Sequence, residues 1–492
     1  MEKRYFVETG TPSIDLMEQA ARALCDALLR RYGAERRVYF ACGPGGNGGD
    51  GYACARLFRA AGGECALFIS EEPATPDAIE NHRRALEAGI PVLTPDDAPD
   101  APELWVDALF GTGLSRAPQG VAARLIERMN ADRERGGITV AVDIPSGLNG
   151  MSGRAFSPCV QADVTVTFQF EKAGLRLGDG LDLCGEIEAV DIGIPQAFFP
   201  PDMARLMAPA DALGLLPEKR RNAHKNTNGH LLIVAGSKGM AGAAAMCATA
   251  ALRSGVGLVT VACPESVLNV AQLLAPCAMA LPLPERDGAV APEAVKALRS
   301  ALAGKHAVAC GCGLSRRAAP EVLRLLLCSG LPTLFDADAL NLIAESADLR
   351  ALLRPHHLVT PHPGEAARLL GRAAADPVSD ALALRALGCQ ALLKGATTAI
   401  PVGREVWLSM SGGPGMAKGG SGDVLTGLAG GLMAQYAAAV AALTGEALAR
   451  CAAVASELHG LAGQLAQAEK GVRGMCAMDI AEALPRALMG HG

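Results

Sequence analysis

From Ser13 to Tyr32 apolar positions recur at helical spacing, at Ile14, Leu16, Met17, Ala20, Ala21, Leu24 and Leu28. The spacing predicts an amphipathic helix, with Ser13 and Asp15 able to cap its start. The period then changes. Short apolar runs, RVYFACG (37–43), ECALFIS (64–70), LWVDALFG (104–111) and ITVAVDIPSG (138–147), alternate with helix-length segments, and ADVTVTFQF (162–170) and EIEAVDIGIP (186–195) follow. Continuous runs of this kind suit strands buried on both faces, so the alternation predicts βαβ units around a parallel sheet. Prolines 200, 201, 209 and 217 and the basic cluster Lys219 to Arg221 interrupt the pattern and place a boundary near residue 207. Beyond it the alternation restarts with HLLIVAG, a small-residue helix from Met240, VGLVTVAC, HAVACGCG, PTLFDADAL, HHLVTPHPG and QALLKGATTAI. Two helices, from about Gly422 and Gly445, are predicted to finish the chain. The result is two unlike α/β domains, 1–207 and 208–492.

Composition narrows what such domains can do. Half of the 492 residues are hydrophobic and only 4% aromatic, which suits close-packed helix and parallel-strand layers. A net charge of −6 offers no basic stripe, so a nucleic-acid partner is excluded. The 15 cysteines make no CxxC pair and lie in apolar runs, as at Cys25, Cys54, Cys247, Cys310 and Cys328, which reads as reduced core; the CxC of Cys310 and Cys312 reads the same way. The N-terminus MEKRYFVETGTPSIDL has no apolar h-region, and the longest apolar run, Val424 to Leu443, is broken by Thr426, glycines and Gln435. A buried helix fits that run better than a membrane span, so a cytoplasmic protein with no membrane partner is expected, as is a homo-oligomer.

In the first half GPGGNGGDG (43–51) follows a predicted strand and opens a helix. Gly43, Gly45 and Gly48 satisfy GxGxxG, and Glu71 stands where a ribose-binding acid would be sought, which is the pattern of a dehydrogenase. Asp50 argues against it, because a carboxylate there opposes a pyrophosphate on the helix dipole. A tight turn with Asp50 as N-cap is the bland alternative. Asp107, Asp143, Ser146 and Lys172 sit at further strand ends and converge with Asn47 on one edge of a parallel sheet. The oxygen-bearing Asn47, Asp107 and Ser146 suit a hard cation, and Asp143 with Lys172 forms an acid/base pair. A module that only binds a dinucleotide stays open.

In the second half each predicted strand ends in Gly, Asp, Pro or His, and open α/β sheets bind ligands at those ends. The stretch SGGPGMAKGGSGDVLTG (411–427) packs glycines against a helix start, so the N–H groups of Gly419 to Gly422 can approach a phosphate. Asp423 is repulsive in such a cradle unless it has a chemical task, and a base beside a phosphoryl donor has one. Lys394 with small residues after it suits a nucleotide loop, and His362 between two prolines suits contact with a polar ligand. A small-alcohol or vitamin kinase would use the same parts.

Through GPGGNGGDG, DALFGTG, VDIPSG and TFQFEK, nearly all of residues 1–207 resembles the NAD(P)H-hydrate epimerase family. The resemblance implies a Rossmann-like three-layer α/β/α sandwich, with a potassium ion on Asn47, Asp107 and Ser146. It implies a dinucleotide along Gly46, Asn47, Gly48, Gly49 and Asp50 and along Gly111, Thr112, Gly113, Leu114, Ser115, Arg116 and Ala117, with Asp143 at the reacting ring. Gly46 stands where that family usually has Asn. About residues 208–492 resemble ribokinase-like carbohydrate kinases in GSGD and, more closely, ADP-dependent NAD(P)H-hydrate dehydratases in GSKGMAGA, DADALN, TPHPGE and AKGGSGDVLTG. This implies a ribokinase-like α/β domain with the adenine nucleotide on Lys394, Gly395, Ala396, Thr397, Thr398 and Gly422. The hydrate would contact Ala243, Gly313, His362 and Asp423. Cys312 replaces the proline of a GPGL motif, and Asn226 replaces a usual glycine. Together the halves imply repair of hydrated NADH and NADPH: interconversion of R and S hydrates by the first, and ADP-dependent dehydration of the S form by the second. Asp423 would be the base, the amides of Gly420, Ser421 and Gly422 would stabilise the moving phosphoryl group, and magnesium would neutralise phosphate charge.

Overall fold

The structure, a computed structural model, describes all residues except 98–102, 202, 441 and 491–492. It divides into two compact units, Met1–Pro201 and Asp202–Gly492.

In the first unit the apolar runs form β1 (Val38–Cys42), β2 (Cys65–Ile69), β3 (Val92–Leu93), β4 (Leu104–Ala108), β5 (Ile138–Val142), β6 (Val164–Phe168) and β7 (Glu186–Val190). They make one sheet in the order β3-β2-β1-β4-β5-β6-β7, with every pair parallel. Alternation of side chains splits β1 between two cores: Val38, Phe40 and Cys42 pack with the helices Ser13–Tyr32 and Gly46–Ala60, and Tyr39 and Ala41 with the helix Gly120–Glu134. Both faces are therefore covered, which is why the strands read as unbroken apolar runs. The strand order reverses between β1 and β4, the place where open α/β sheets bind ligands.

The second unit contains β8 (Arg205–Leu206), β9 (His230–Val234), β10 (Leu258–Pro264), β11 (Met279–Leu283), β12 (Glu285–Arg286), β13 (Ala289–Val290), β14 (Ala307–Cys310), β15 (Thr333–Phe335), β16 (His357–Val359), β17 (Gln390–Ala391), β18 (Thr398–Val402) and β19 (Glu405–Ser409). Its main sheet runs β11-β10-β9-β14-β15-β16-β17, all parallel, with the switch point between β9 and β14. A smaller sheet joins β18, β19 and β8.

Several expectations are corrected. Strand β8 pairs in parallel with β19, so residues 205–206 belong with the second unit although they precede the predicted boundary near 207. The run QALLKGATTAI is two strands, because the chain leaves the main sheet after Ala391 and turns into an antiparallel hairpin at Thr398. Three helices rather than two end the chain, Ser421–Ala439, Gly445–Gly474 and Ala477–Leu488; Gly471, at φ 77, kinks the second of these near its end. Ser13 is the first helical residue rather than a cap, with Pro12 at the N-cap and no side-chain cap bond. Cys328 is exposed, because it lies at the C-cap of the helix Pro320–Leu327 rather than on its apolar face. All 15 cysteines are free and most are buried. Among the described residues no helix is long and apolar enough to cross a membrane.

Candidate active sites

In the first unit the loops after β1 and β4 touch backbone to backbone. A Cβ on Gly43 would lie 1.8 Å from the Leu109 carbonyl oxygen, and one on Gly48 would lie 1.9 Å from that of Gly43, so only glycine fits either place. Between these loops opens a cavity of about 630 Å³, lined by Gly46, Asn47, Asp50, residues 111–116, Asp143 and Lys172. Gly48 and Gly49 turn inward instead, and Ala117 is not part of the lining. Asp50 is not an N-cap, since the helix starts at Gly46 with Gly45 as its cap. Burial, reinforced by Asp143, pushes the Asp50 carboxyl well above the usual carboxylate range. Glu71 is exposed and away from the cavity, which removes the acid a dehydrogenase pattern requires.

Asp143 follows β5 in the left-handed region, at φ 65, a conformation that aspartate tolerates better than most residues. The turn brings its carboxylate into an ion pair with the Lys172 ammonium; the Thr167 hydroxyl also donates to it at 3.1 Å. Lys172 is held in turn, donating to the Phe168 carbonyl at 2.9 Å and to the Thr167 hydroxyl at 3.2 Å.

Asp107, at the end of β4, is fully buried and its partners are neutral. It accepts from the Ser146 hydroxyl at 2.6 Å, the Ser146 N–H at 2.7 Å and the Leu109 N–H at 3.2 Å. Burial pushes its carboxyl up to about 6, with these hydrogen bonds opposing the shift. The Asn47 amide nitrogen is buried without a partner. No group of three or more His, Cys, Asp or Glu side chains suited to a metal occurs among the described residues. The buried oxygens of Asp107 and Ser146, joined at 2.6 Å, are donors that suit a hard cation rather than zinc.

In the second unit the strand ends meet around Asp336. Gly311, at φ 132, has its Cα so close to the Asp336 carbonyl that a Cβ would lie 1.8 Å from the oxygen. The Asp336 side chain is 2% exposed and accepts from Lys394 Nζ and from the Thr426 hydroxyl, each at 2.7 Å. One carboxylate thus ties together the end of β15, the loop after β17 and the helix Ser421–Ala439. Burial opposes charge on Lys394, but Asp336 and Glu365 outweigh it and hold the ammonium above its ordinary range.

Gly420, at φ 97, caps the helix Ser421–Ala439. At Gly422 an added Cβ would stand 3.5 Å from Lys394 Nζ, so the missing side chain leaves the cation open to a guest. Asp423 lies on the same first turn. Burial pushes its carboxyl up to about 6, with Asp336 adding to the rise and Cys312 and Lys394 opposing it. Gly313, at φ 58, abuts Ala243: their Cβ atoms would be 2.9 Å apart. His362 caps its own helix, accepting from the Gly364 N–H at 3.0 Å, and its side chain is half exposed. Gly395 and Ala396 are exposed in the loop from β17 to β18, whereas Thr397 is buried and Thr398 opens β18.

Sequence reasoning missed Thr426 as part of the Asp336 cluster, although a lone hydroxyl in an apolar run was its signal. It also missed the contribution of Glu2, Phe6 and Asp77 to the first cavity. These three belong to no motif, and no local signal marks them.

A family model described as NAD(P)H-hydrate dehydratase matches residues 231–486, and one described as YjeF-related protein N-terminus matches residues 13–174. The chain is 40% identical over 508 residues to the bifunctional NAD(P)H-hydrate repair enzyme Nnr of Moorella thermoacetica, covering 97% of this chain and 92% of that protein. It is 35% identical over 488 residues to the protein of the same name from Escherichia coli, covering 97% and 90% respectively. Among solved structures a ribokinase-like superfamily protein from Enterococcus faecalis matches 60% of this chain and 98% of its own, with a TM-score of 0.51 and 23% identity. That likeness concerns the fold.

Proposed function

The chain belongs to the family of bifunctional NAD(P)H-hydrate repair enzymes, and we propose that its two candidate sites divide the work as follows. Its first unit is the epimerase and its second the dehydratase.

In the first unit the hydrated dinucleotide lies in the cavity between the loops after β1 and β4. Asp143 and Lys172, already joined as an ion pair, hold and pass a proton at the hydrated ring. Asn47, Asp107 and Ser146 fit a potassium ion, because the buried Asp107 has only neutral partners. Such an ion supplies the positive charge that Asp107 otherwise lacks.

In the second unit ADP occupies the glycine cradle with its terminal phosphoryl group beside Lys394. Asp423 takes the proton from the added hydroxyl of the S hydrate. The freed oxygen bonds to the terminal phosphorus, the bond from that phosphorus to the bridging oxygen breaks, and AMP leaves. The ring nitrogen then expels phosphate, loss of the adjacent ring proton restores the dihydronicotinamide, and Gly420 to Gly422 amides stabilise the transferring group. Magnesium would enter on the phosphates of the nucleotide and neutralise their charge. The observation that carries this reading is the Asp336 cluster, which fixes Lys394 beside the gap at Gly422, one residue from Asp423.

The test is purified protein with mixed hydrate epimers and ADP or ATP, followed by near-ultraviolet absorbance and separation of products. Complete, nucleotide-dependent recovery of NADH absorbance with release of AMP or ADP and phosphate is expected. A stable phosphorylated product with the hydrates untouched would overturn the reading.

A further inference from the structure

We propose that the helix Glu2–Thr9 forms the outer wall of the epimerase site, with Phe6 packing on the uncharged hydrated ring beside Asp143 and Lys172 and so setting the affinity for the hydrate. The inference rests on the reading of that ion pair as the reacting groups.

Phe6 is half-buried. It packs against the same core cluster that holds Leu16, Ala20, Phe168 and Ile192, and all five residues also line the cavity of about 630 Å³. The cavity therefore has an apolar side as well as the polar one of Asn47, Asp50 and Asp143. The apolar side adjoins the reacting groups: the Phe168 N–H donates to the Asp143 carboxylate at 3.3 Å, and its carbonyl accepts from Lys172 Nζ at 2.9 Å. An uncharged ring gains from burial against such a wall, whereas the charged phosphates of a dinucleotide do not.

The helix is held in place without being buried. None of its eight residues is buried, and a helix so short does not persist unsupported. Its support is aromatic. Tyr5 meets Phe198 edge-on with the ring centroids 5.2 Å apart, and the Arg4 guanidinium lies 5.2 Å from the same ring. Phe199, the next residue, meets Phe170 edge-on at 5.2 Å, on the loop that carries Lys172. At the other end the Gly10 N–H closes the helix on the Phe6 carbonyl at 3.0 Å, with Gly10 in the left-handed region at φ 71. Tyr5 thus anchors the helix, and Phe6, about 100° further round it, is left to serve the cavity.

The test is the initial rate of epimer exchange from purified R hydrate, without nucleotide, by the full chain. Wild type, Phe6→Ala, Phe6→Leu, Val7→Ala and Asp143→Asn are compared, with melting temperatures alongside. Phe6 moves no proton and touches the ring equally in the ground and transition states. Phe6→Ala is therefore expected to raise KM about tenfold and to leave kcat within about twofold of wild type. Phe6→Leu, which restores apolar cover, is expected to recover most of the lost affinity. Val7, 84% exposed on the same helix, is the control, and Val7→Ala should change neither constant. Melting temperatures should coincide, since the helix contributes no buried residue. A wild-type KM in Phe6→Ala, or an equal rise in Phe6→Leu or Val7→Ala, would overturn the inference. A fall in kcat with KM unchanged would make Phe6 a structural support and overturn it too. Exchange surviving in Asp143→Asn would instead remove the reading of the reacting pair, which keeps the two failures apart.

Discussion

Lys394 and Asp336 lie 58 positions apart in sequence and meet at 2.7 Å, with the carboxylate 2% exposed. Neither charge tolerates loss of the other. Lys394→Met should leave Asp336 buried without a cation and cost about 3–5 kcal/mol in a denaturant titration, with a large rise in KM for ADP. Replacing both partners by apolar residues of similar volume should recover most of the stability and none of the dehydratase activity. Equal destabilisation in the single and double variants would contradict this.

Asp423→Asn should lower ADP-dependent recovery of NADH absorbance by at least about 100-fold while the epimers continue to exchange. Its melting temperature should not fall, because a neutral amide replaces a carboxyl whose charge burial disfavours. Normal recovery in this variant would refute the base assignment.

Dehydration should depend on pH in one direction. Burial places the Asp423 carboxyl at about 6, and only its ionised form can take a proton, so kcat should rise about tenfold per unit up to that pH and level off above it. A rate independent of pH between 5 and 7 would exclude Asp423 as the titrating group.

Potassium should stabilise the first unit more at pH 8 than at pH 5. The folded-state value of about 6 for Asp107 lies above the ordinary 3.8, so the native state binds the extra proton; stability from the neutral form is present at low pH and lost as pH rises through 6. An ion that neutralises the carboxylate offsets that loss only where the carboxylate is charged. Thermal melts in potassium against choline salts measure the difference, and Asp107→Asn should erase it.

Asp143→Asn or Lys172→Met should stop epimer exchange and leave ADP-dependent loss of the S hydrate intact. Chromatography would then show the R hydrate stranded, apart from slow spontaneous exchange. Disappearance of both epimers at the wild-type rate would mean that the ion pair has no part in epimerisation.

The central strands of both sheets were legible because each is buried on two faces and so writes a continuous apolar run, and the residues just past them carried the motifs. Shorter edge elements were not. β3 is two residues long, and nothing in PVLTP marks a strand. The break within QALLKGATTAI has no Pro, and its single Gly follows Lys394. Lys394 there meets Asp336, just past β15, a long-range contact that local periodicity cannot contain. The alternative of Asp50 as an N-cap fails for the opposite reason: a helix that begins four residues earlier, at Gly46, takes it from the cap into the wall of the cavity.

Strand β8 decides where the two enzymes can be severed. A cut at 207 would strip Arg205 and Leu206 from β19, leaving that strand an unpaired edge and taking away the guanidinium that lies 5.0 Å from the Trp407 ring. The shortened dehydratase would present an open strand to its neighbours and tend to associate through it. A cut at 201 spares the pairing, so the dehydratase should be portable as an independent catalyst only when it takes those few upstream residues with it.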